Sequence, residues 1–480
     1  MKNLYFLIFA LVMQLPSSAK TYYVSTTGSD NNTGSIDAPL ATLKAAQNII
    51  NAGDTIYFRG GTYTITEDQI MGYEVSDLYA CVFDLKKSGT SDNPICYFGY
   101  PGERPVFDIS NVKPTDKRIS VFYLNGSYLH FKNFDIVGTQ VTITTHTQSE
   151  CFSCRNGSNN VIENIAMHNG MAIGVYITKG NDNLILNCDA YNNYDTVSEG
   201  GKGGNVDGFG CHVTAQSTGN IFRGCRAWCN SDDGFDLINN YAPVTFDNCW
   251  SFYNGYEDYS TITPGDGNGF KAGGYGSMVQ VSPVDAPRNT IQNCIAFHNK
   301  ANGFYANHHL GGDNWYNNSS YLNKYNYDMV NQQSWDNATD VDGYGHVLVN
   351  NLSFNGVKGD YLYIDIAKCT LTNNTFLPSS YTVSESDFES TDFAQLASDR
   401  KADGSLPDIN FMKLKPTSQF YSLKIGYQFK YGDVTGINSI ESEKSSHHSA
   451  YDNKYYNIMG MNVKNPVKGL FIYNGKKIIK

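Results

Sequence analysis

One phrase returns six times through the middle of the chain, and it constrains the fold more than any other feature. It reads Glu163-Asn-Ile-Ala-Met-His-Asn169, Asn187-Cys-Asp-Ala-Tyr-Asn-Asn193, Gly224-Cys-Arg-Ala-Trp-Cys-Asn230, Asn248-Cys-Trp-Ser-Phe-Tyr-Asn254, Asn293-Cys-Ile-Ala-Phe-His-Asn299 and Asn317-Asn-Ser-Ser-Tyr-Leu-Asn323, with a weaker copy at Asn350-Asn-Leu-Ser-Phe-Asn355. The starts at 163, 187, 224, 248, 293 and 317 are separated by 24, 37, 24, 45 and 24 residues. The unit is therefore 24 residues, and the longer steps carry insertions. A unit this short, alternating apolar and polar with Gly or Asn at its corners, cannot bury its apolar side alone and must stack on its neighbours. A leucine-rich repeat has a similar period, but its Leu framework and any helical 3.6 periodicity are missing. An all-β chain folded as a parallel β-helix fits, with equivalent positions on successive coils about 4.8 Å apart.

Stacking gives the recurring residues plain structural meanings. Cys188, Cys225, Cys249 and Cys294 become a ladder of small apolar side chains in the interior. Asn193, Asn230, Asn254 and Asn299 become a ladder of corner amides. The cysteine total is odd, 11, and Cys151-Phe-Ser-Cys154 has no second CxxC or His pair to complete a metal site, so a buried or locally bridged pair is expected. Upstream, an amphipathic helix from about 40 to 51 is expected to cap the open end of the β-helix, which otherwise exposes unpaired backbone and core.

The ends of the chain differ from this middle. Lys2, an apolar run from Leu4 to Leu15 and then Ser17-Ser-Ala19 have the order of a secretory signal over residues 1–19. The run is too short to span a bilayer, and no later stretch is long enough, so export without a transmembrane anchor is expected, to the periplasm, the cell surface or the medium. The expected division is a β-helix domain over 20–436, a linker over 437–449 and a small β-hairpin module over 450–480. A monomer is expected. The net charge of −11 argues against nucleic acid as a partner. An acidic protein can still hold an acidic polymer when a cation lies between them.

A second phrase follows the corners: Asp207-Gly-Phe209, Asp233-Gly-Phe235, Asn268-Gly-Phe270 and Asn302-Gly-Phe304. Aligned on Gly-Phe, Asp207 and Asp233 take one offset on neighbouring coils, while Asp236 and Lys271 share the next outward offset on the following pair. Asp232 sits beside Asp233. Asp-Gly is a good corner on its own, but that does not account for Asp232, Asp236 or the lysine. Four carboxylates on one face repel each other, and a hard oxygen-seeking cation such as Ca²⁺ would offset that repulsion. The insertions at 194–206 and 255–267 enter just before the Gly-Phe phrase and are expected to wall this face.

Asn205-Val-Asp-Gly-Phe-Gly210, Ser231-Asp-Asp-Gly-Phe-Asp236 and Gly267-Asn-Gly-Phe-Lys271, together with Tyr100-Pro-Gly-Glu-Arg-Pro-Val-Phe107, resemble polysaccharide lyase family 9, the pectate-lyase-like right-handed parallel β-helices. The resemblance runs over about residues 21–410. It implies that Asp207, Asp232, Asp233 and Asp236 bind Ca²⁺ and that Lys271 is the base in β-elimination of galacturonate-containing pectic polysaccharide, with polygalacturonate placed first and rhamnogalacturonan I next. Arg226, Arg288, Tyr305 and His308, on or beside the same coils, are candidate substrate contacts. A β-helical galacturonan hydrolase is the rival enzyme, since Asn205-Val-Asp207 and Asp232-Asp233 resemble its motifs, but its Gly-His-Gly and Arg-x-Lys are missing. A non-catalytic glycan-binding adhesin would keep the fold and use the aspartates for structural calcium. The tail from Tyr456 resembles C-terminal modules of exported Bacteroidetes proteins.

Overall fold

A computed structural model describes residues 19–274, 286–378 and 381–430, and the strands at 455–457, 462–463, 470–473 and 476–479. Residues 1–18 of the expected signal peptide, residues 275–285 and the expected linker lie outside the described residues. The chain winds as a parallel β-helix. One long wall is built from two strand segments per coil, such as Leu184–Leu186 with Asp189–Tyr191, then Asn220–Arg223 with Arg226–Trp228, then Val244–Asp247 with Trp250–Phe252, each paired in parallel with its equivalent on the next coil. A second wall stacks Tyr79–Leu85, Arg118–Leu124, Glu150–Cys154, Ile173–Ile177, Phe209–Cys211, Phe235–Asp236, Phe270–Lys271, Phe304–Tyr305, Tyr325–Asp328 and Gly359–Leu362.

The residues that recur do so because the coil demands them. The residue opening each repeat bends the chain between the two segments with a left-handed backbone: Asn187, Asn248, Asn293, Asn317 and Asn350 have φ of 51–57°, and Gly224 has 65°. Asn and Gly tolerate this region best. The ladder also corrects the sequence alignment of the first copy. Ala166 pairs with Asp189, so Asn164, at φ 52°, stands opposite Asn187, and Gly170 stands opposite Asn193, whose side chain accepts its N–H. The first step is thus one residue shorter than it reads; matching the terminal Asn169 to Asn193 hid this.

The interior ladders take the expected form. Cys188, Cys225, Cys249 and Cys294 are wholly buried, and all eleven cysteines are free thiols, including Cys151 and Cys154. Asn193, Asn230, Asn254, Asn299 and Asn323 pass side-chain amide hydrogen bonds of 3.0–3.1 Å from coil to coil. Each ladder member satisfies polar atoms that burial would otherwise strand. Phe209, Phe235, Phe270, Phe304 and Tyr327 stack with ring centroids 4.7–5.1 Å apart. That stack fixes which residues of the second wall point inward, and so which point out.

The capping helix is shorter than expected, Leu43–Ile49, with Leu43 and Ala46 buried against the first coils. Thr42 caps it by accepting the Ala45 N–H, and Asp30 accepts from the backbone of Ala41 and Thr42, which holds those residues out of the helix. Beyond the last coil, residues 383–429 cross the outside of the long wall as a strap. Phe388, Leu396, Phe411, Leu414, Phe420 and Ile425 bury against Trp228, Trp250, Phe252, Phe297 and Phe354. The strands at 455–479 pair antiparallel.

Candidate active site

The Gly-Phe alignment survives in three dimensions. Phe209 pairs with Phe235 and Phe235 with Phe270, so the outward row on the second wall runs Tyr176, Gly210, Asp236, Lys271, Tyr305, Asp328. Asp207, Asp232 and Asp233 come from the turns just before this row. One carboxylate oxygen from each lies within 4.8 Å of the others, and all three side chains are buried. Backbone donors set their orientation: Asp233 N–H donates to Asp207 Oδ1 at 3.2 Å, Asp266 N–H to Asp232 Oδ1 at 2.7 Å, and Asn268 N–H to Asp233 Oδ1 at 2.6 Å. Asp236 stands one step aside from this trio. Its Oδ1 accepts the Ile238 N–H, and its Oδ2 faces Lys271 Nζ at 3.3 Å and His212 Nε2 at 3.8 Å. Lys271 Nζ also lies 3.1 Å from Asp233 Oδ2.

The charges in this group are badly matched without a further cation. Burial and then the charges of its acidic neighbours raise the Asp207 carboxyl well above the ordinary range, and Asp232 likewise. Asp233 is raised by burial, with Lys271 opposing. Burial alone would lower Lys271, but Asp233, Asp236, Asp232 and Asp207 together hold it well above its usual value. Asp233 Oδ2 is buried and makes no well-aligned hydrogen bond despite its proximity to the amine. Three hard oxygen donors at this spacing, one with a free lone pair, suit Ca²⁺.

The walls of the site are the two insertions. Thr263 Oγ1 donates to Ser231 O at 2.7 Å, and Lys300 Nζ donates to Thr263 O at 2.8 Å, so the 255–267 loop folds back beside Asp232. Two participants escaped the sequence reading. Asn268 occupies the Asp207/Asp233 offset on the next coil and donates its side-chain amide to Asp233 Oδ1 at 2.9 Å; its place in the Asn268-Gly-Phe phrase was the available signal. His212 lies two residues past Gly210, its Nδ1 2.9 Å from Tyr176 Oη and its buried Nε2 without a hydrogen-bond partner.

The four candidate substrate contacts separate. Tyr305 is next to Lys271 in the row and half-buried. His308 follows it and meets Asp340 at 2.9 Å, on the hairpin Asn331–Ser334 and Asn337–Val341. Arg288 is exposed, donating to Gly311 O beside the long wall. Arg226 lies apart from this face. It is buried on the long wall, bidentate to Asp189 at 2.8 Å through Nε and Nη2, and its Nη1 donates to Leu396 O and Ser398 O of the strap. Arg400 reaches the same carboxylate at 2.6 Å. Burial would raise Asp189, yet Arg400 and Arg226 hold it down at about 2. Asp189→Ala strands two buried guanidiniums and is expected to cost about 3–5 kcal/mol; urea denaturation showing a loss below about 1 kcal/mol would contradict this clamp.

The model for the Pel9A-like right-handed β-helix region matches residues 22–351. Pectate lyase L of Dickeya chrysanthemi is 33% identical over 84% of this chain and 85% of its own length. Among solved structures, a rhamnogalacturonan lyase superposes with a TM-score of 0.81 at 47% identity, covering 85% of this chain and 100% of that one. The pectate lyase Pel9A superposes with a TM-score of 0.65 at 31% identity, covering 84% and 91%. With the match spanning most of the β-helix and all four Gly-Phe turns, this chain belongs to the Pel9A-like right-handed β-helix family.

Proposed function

We propose that this polysaccharide lyase cleaves galacturonate-containing pectic polysaccharide by β-elimination, with Lys271 as the base and Asp207, Asp232, Asp233 and Asp236 around Ca²⁺. The observation that carries the reading is a buried amine 3.1 Å and 3.3 Å from two members of a carboxylate cluster that needs a cation. The C5 proton of a 4-linked galacturonate is α to a carboxylate and hard to remove. Bound Ca²⁺ supplies electrostatic stabilisation of the charge that develops on that carboxylate. Lys271 Nζ, neutral, takes the proton; Asp233 and Asp236 hold the amine in place; the walls formed by 194–206 and 255–267 keep the polymer over the row. The glycosidic oxygen on C4 leaves, giving an unsaturated uronide.

The greater identity to the rhamnogalacturonan lyase, 47% against 31–33% for the two pectate lyases compared, favours rhamnogalacturonan I as the preferred polymer, reversing the order suggested by the motifs. No helix among the described residues is long and apolar enough to cross a membrane, and export through residues 1–19 fits an enzyme whose substrate is an extracellular polymer. Purified protein incubated with rhamnogalacturonan I and with polygalacturonate, with and without a chelator, is expected to release conjugated unsaturated product only with Ca²⁺, and faster from the first polymer. New reducing ends without unsaturation would assign a hydrolase, and neither product would leave a binding protein.

A further inference from the structure

The elimination leaves one proton unassigned. The oxygen departing from C4 is an alkoxide unless something protonates it, and an alkoxide is a poor leaving group. Within the cation cluster and the outward row the acidic side chains are committed elsewhere: Asp207, Asp232 and Asp233 form the cluster, and Asp236 faces Lys271 and His212. Asp328, the last acid in the row, accepts from Val330 N–H at 3.2 Å and from the Asn302 amide at 3.1 Å. Between Lys271 and Asp328 stands Tyr305.

Resting on the lyase reading above, we infer that Tyr305 is the general acid that protonates the departing glycosidic oxygen. Its placement follows from the core. Phe304 stacks on Phe270 with centroids 5.1 Å apart, so the residues after each, Tyr305 and Lys271, project outward side by side from adjacent strands. Such strands are about 4.8 Å apart, a spacing at which two long side chains can flank the C4–C5 bond of one sugar. Lys271 is nearly buried while Tyr305 is partly open to solvent, as a group that must meet the polymer should be. Among the described residues the Tyr305 hydroxyl makes no hydrogen bond, so its proton is not committed to the protein. Burial, reinforced by the Asp328 charge, keeps the phenol protonated above its ordinary range.

The step balances. The C5–H bond breaks as its proton passes to Lys271 Nζ, the electron pair forms the C4=C5 double bond, the C4–O4 bond breaks, and O4 takes the phenolic proton. Lys271 is left as the ammonium and Tyr305 as the phenolate, and exchange of one proton through solvent restores both. No oxidant or co-reactant is needed.

The test is Tyr305→Phe, which keeps the ring and removes a hydroxyl that has no hydrogen-bond partner among the described residues. On the polymer, kcat is expected to fall roughly 100- to 10,000-fold with KM little changed, the range for loss of a positioned acid. On an oligosaccharide of whichever polymer the parent cleaves faster, with a 4-nitrophenoxy group at C4 of its non-reducing-end galacturonate, a leaving group that needs no proton, the variant should match the parent within about threefold. That second substrate also shows that the variant is folded. Equal losses on both substrates, or a rise in KM alone, would make Tyr305 a binding residue and overturn the assignment. A parent enzyme that yields no unsaturated product from either polymer defeats the lyase reading; an active parent with an unimpaired variant defeats only the acid.

Discussion

Lys271→Ala is expected to lower kcat for unsaturated-product formation about 1,000-fold while the protein still binds the polymer, as for loss of a general base. Lys271→Arg should not rescue it, because a guanidinium at this site stays protonated. The reason lies in the two faces of the same cluster. Lys271 can be a base only when neutral, yet Asp233, Asp236, Asp232 and Asp207 hold its ammonium form well above the usual range. Once a cation satisfies those carboxylates, they no longer retain the proton on Nζ, and the added positive charge disfavours the ammonium. Activity should therefore rise with pH into the alkaline range, and the rising limb should move to lower pH as Ca²⁺ approaches saturation. The measurement is a pH profile of kcat by absorbance of the conjugated double bond, at limiting and saturating Ca²⁺. An optimum at acidic pH, with activity falling as pH rises, would point to carboxyl acid and base chemistry of the hydrolase kind. Lys271→Ala retaining kcat within about tenfold of the parent would remove the lysine from the chemistry.

How much of this was legible depended on whether a residue's role is set by the repeat or by what folds over it. The coil fixes inward and outward positions with a period of two, so Phe209, Phe235 and Phe270 also fixed Asp236 and Lys271 as neighbours. Tyr305 was legible the same way, one coil on at the Lys271 offset. The strap was not. Trp228, Trp250 and Phe252 look like further core residues in the repeat phrase, but they lie on the outer face of the wall and are buried only because 383–429 crosses them. Nothing periodic marks that crossing, and Arg226, exposed in an uncovered coil, becomes a buried clamp beneath it. The insertions show the same limit. Their position before Gly-Phe told where they enter, but not that the Asp266 backbone would return to Asp232.

Calcium should stabilise the parent protein and leave Asp232→Asn unaffected, a contrast that locates the ion independently of catalysis. The carboxyls of Asp207 and Asp232 sit well above their ordinary range in the folded chain, so the native state holds these protons more tightly than the unfolded state. The associated stability is full below the unfolded value of about 3.9 and is lost as pH rises through the raised native values. In chelator, the melting temperature of the parent should therefore decline through these groups as pH rises above about 4. A cation that binds only the folded form reverses that loss, by about 2.7 kcal/mol at 100 times its dissociation constant. With an unfolding entropy of about 2.1 cal/mol/K per residue over some 400 folded residues, this is a rise of about 3 °C. Asp232→Asn keeps an oxygen to accept the Asp266 N–H but removes one of three mutually repelling charges. In chelator at neutral pH it should melt no lower than the parent; with Ca²⁺ it should gain nothing, and its activity should fall to the level of Lys271→Ala. Scanning calorimetry of both proteins with and without Ca²⁺ decides the matter, and equal calcium-induced shifts in the two would place the ion somewhere other than beside Asp232.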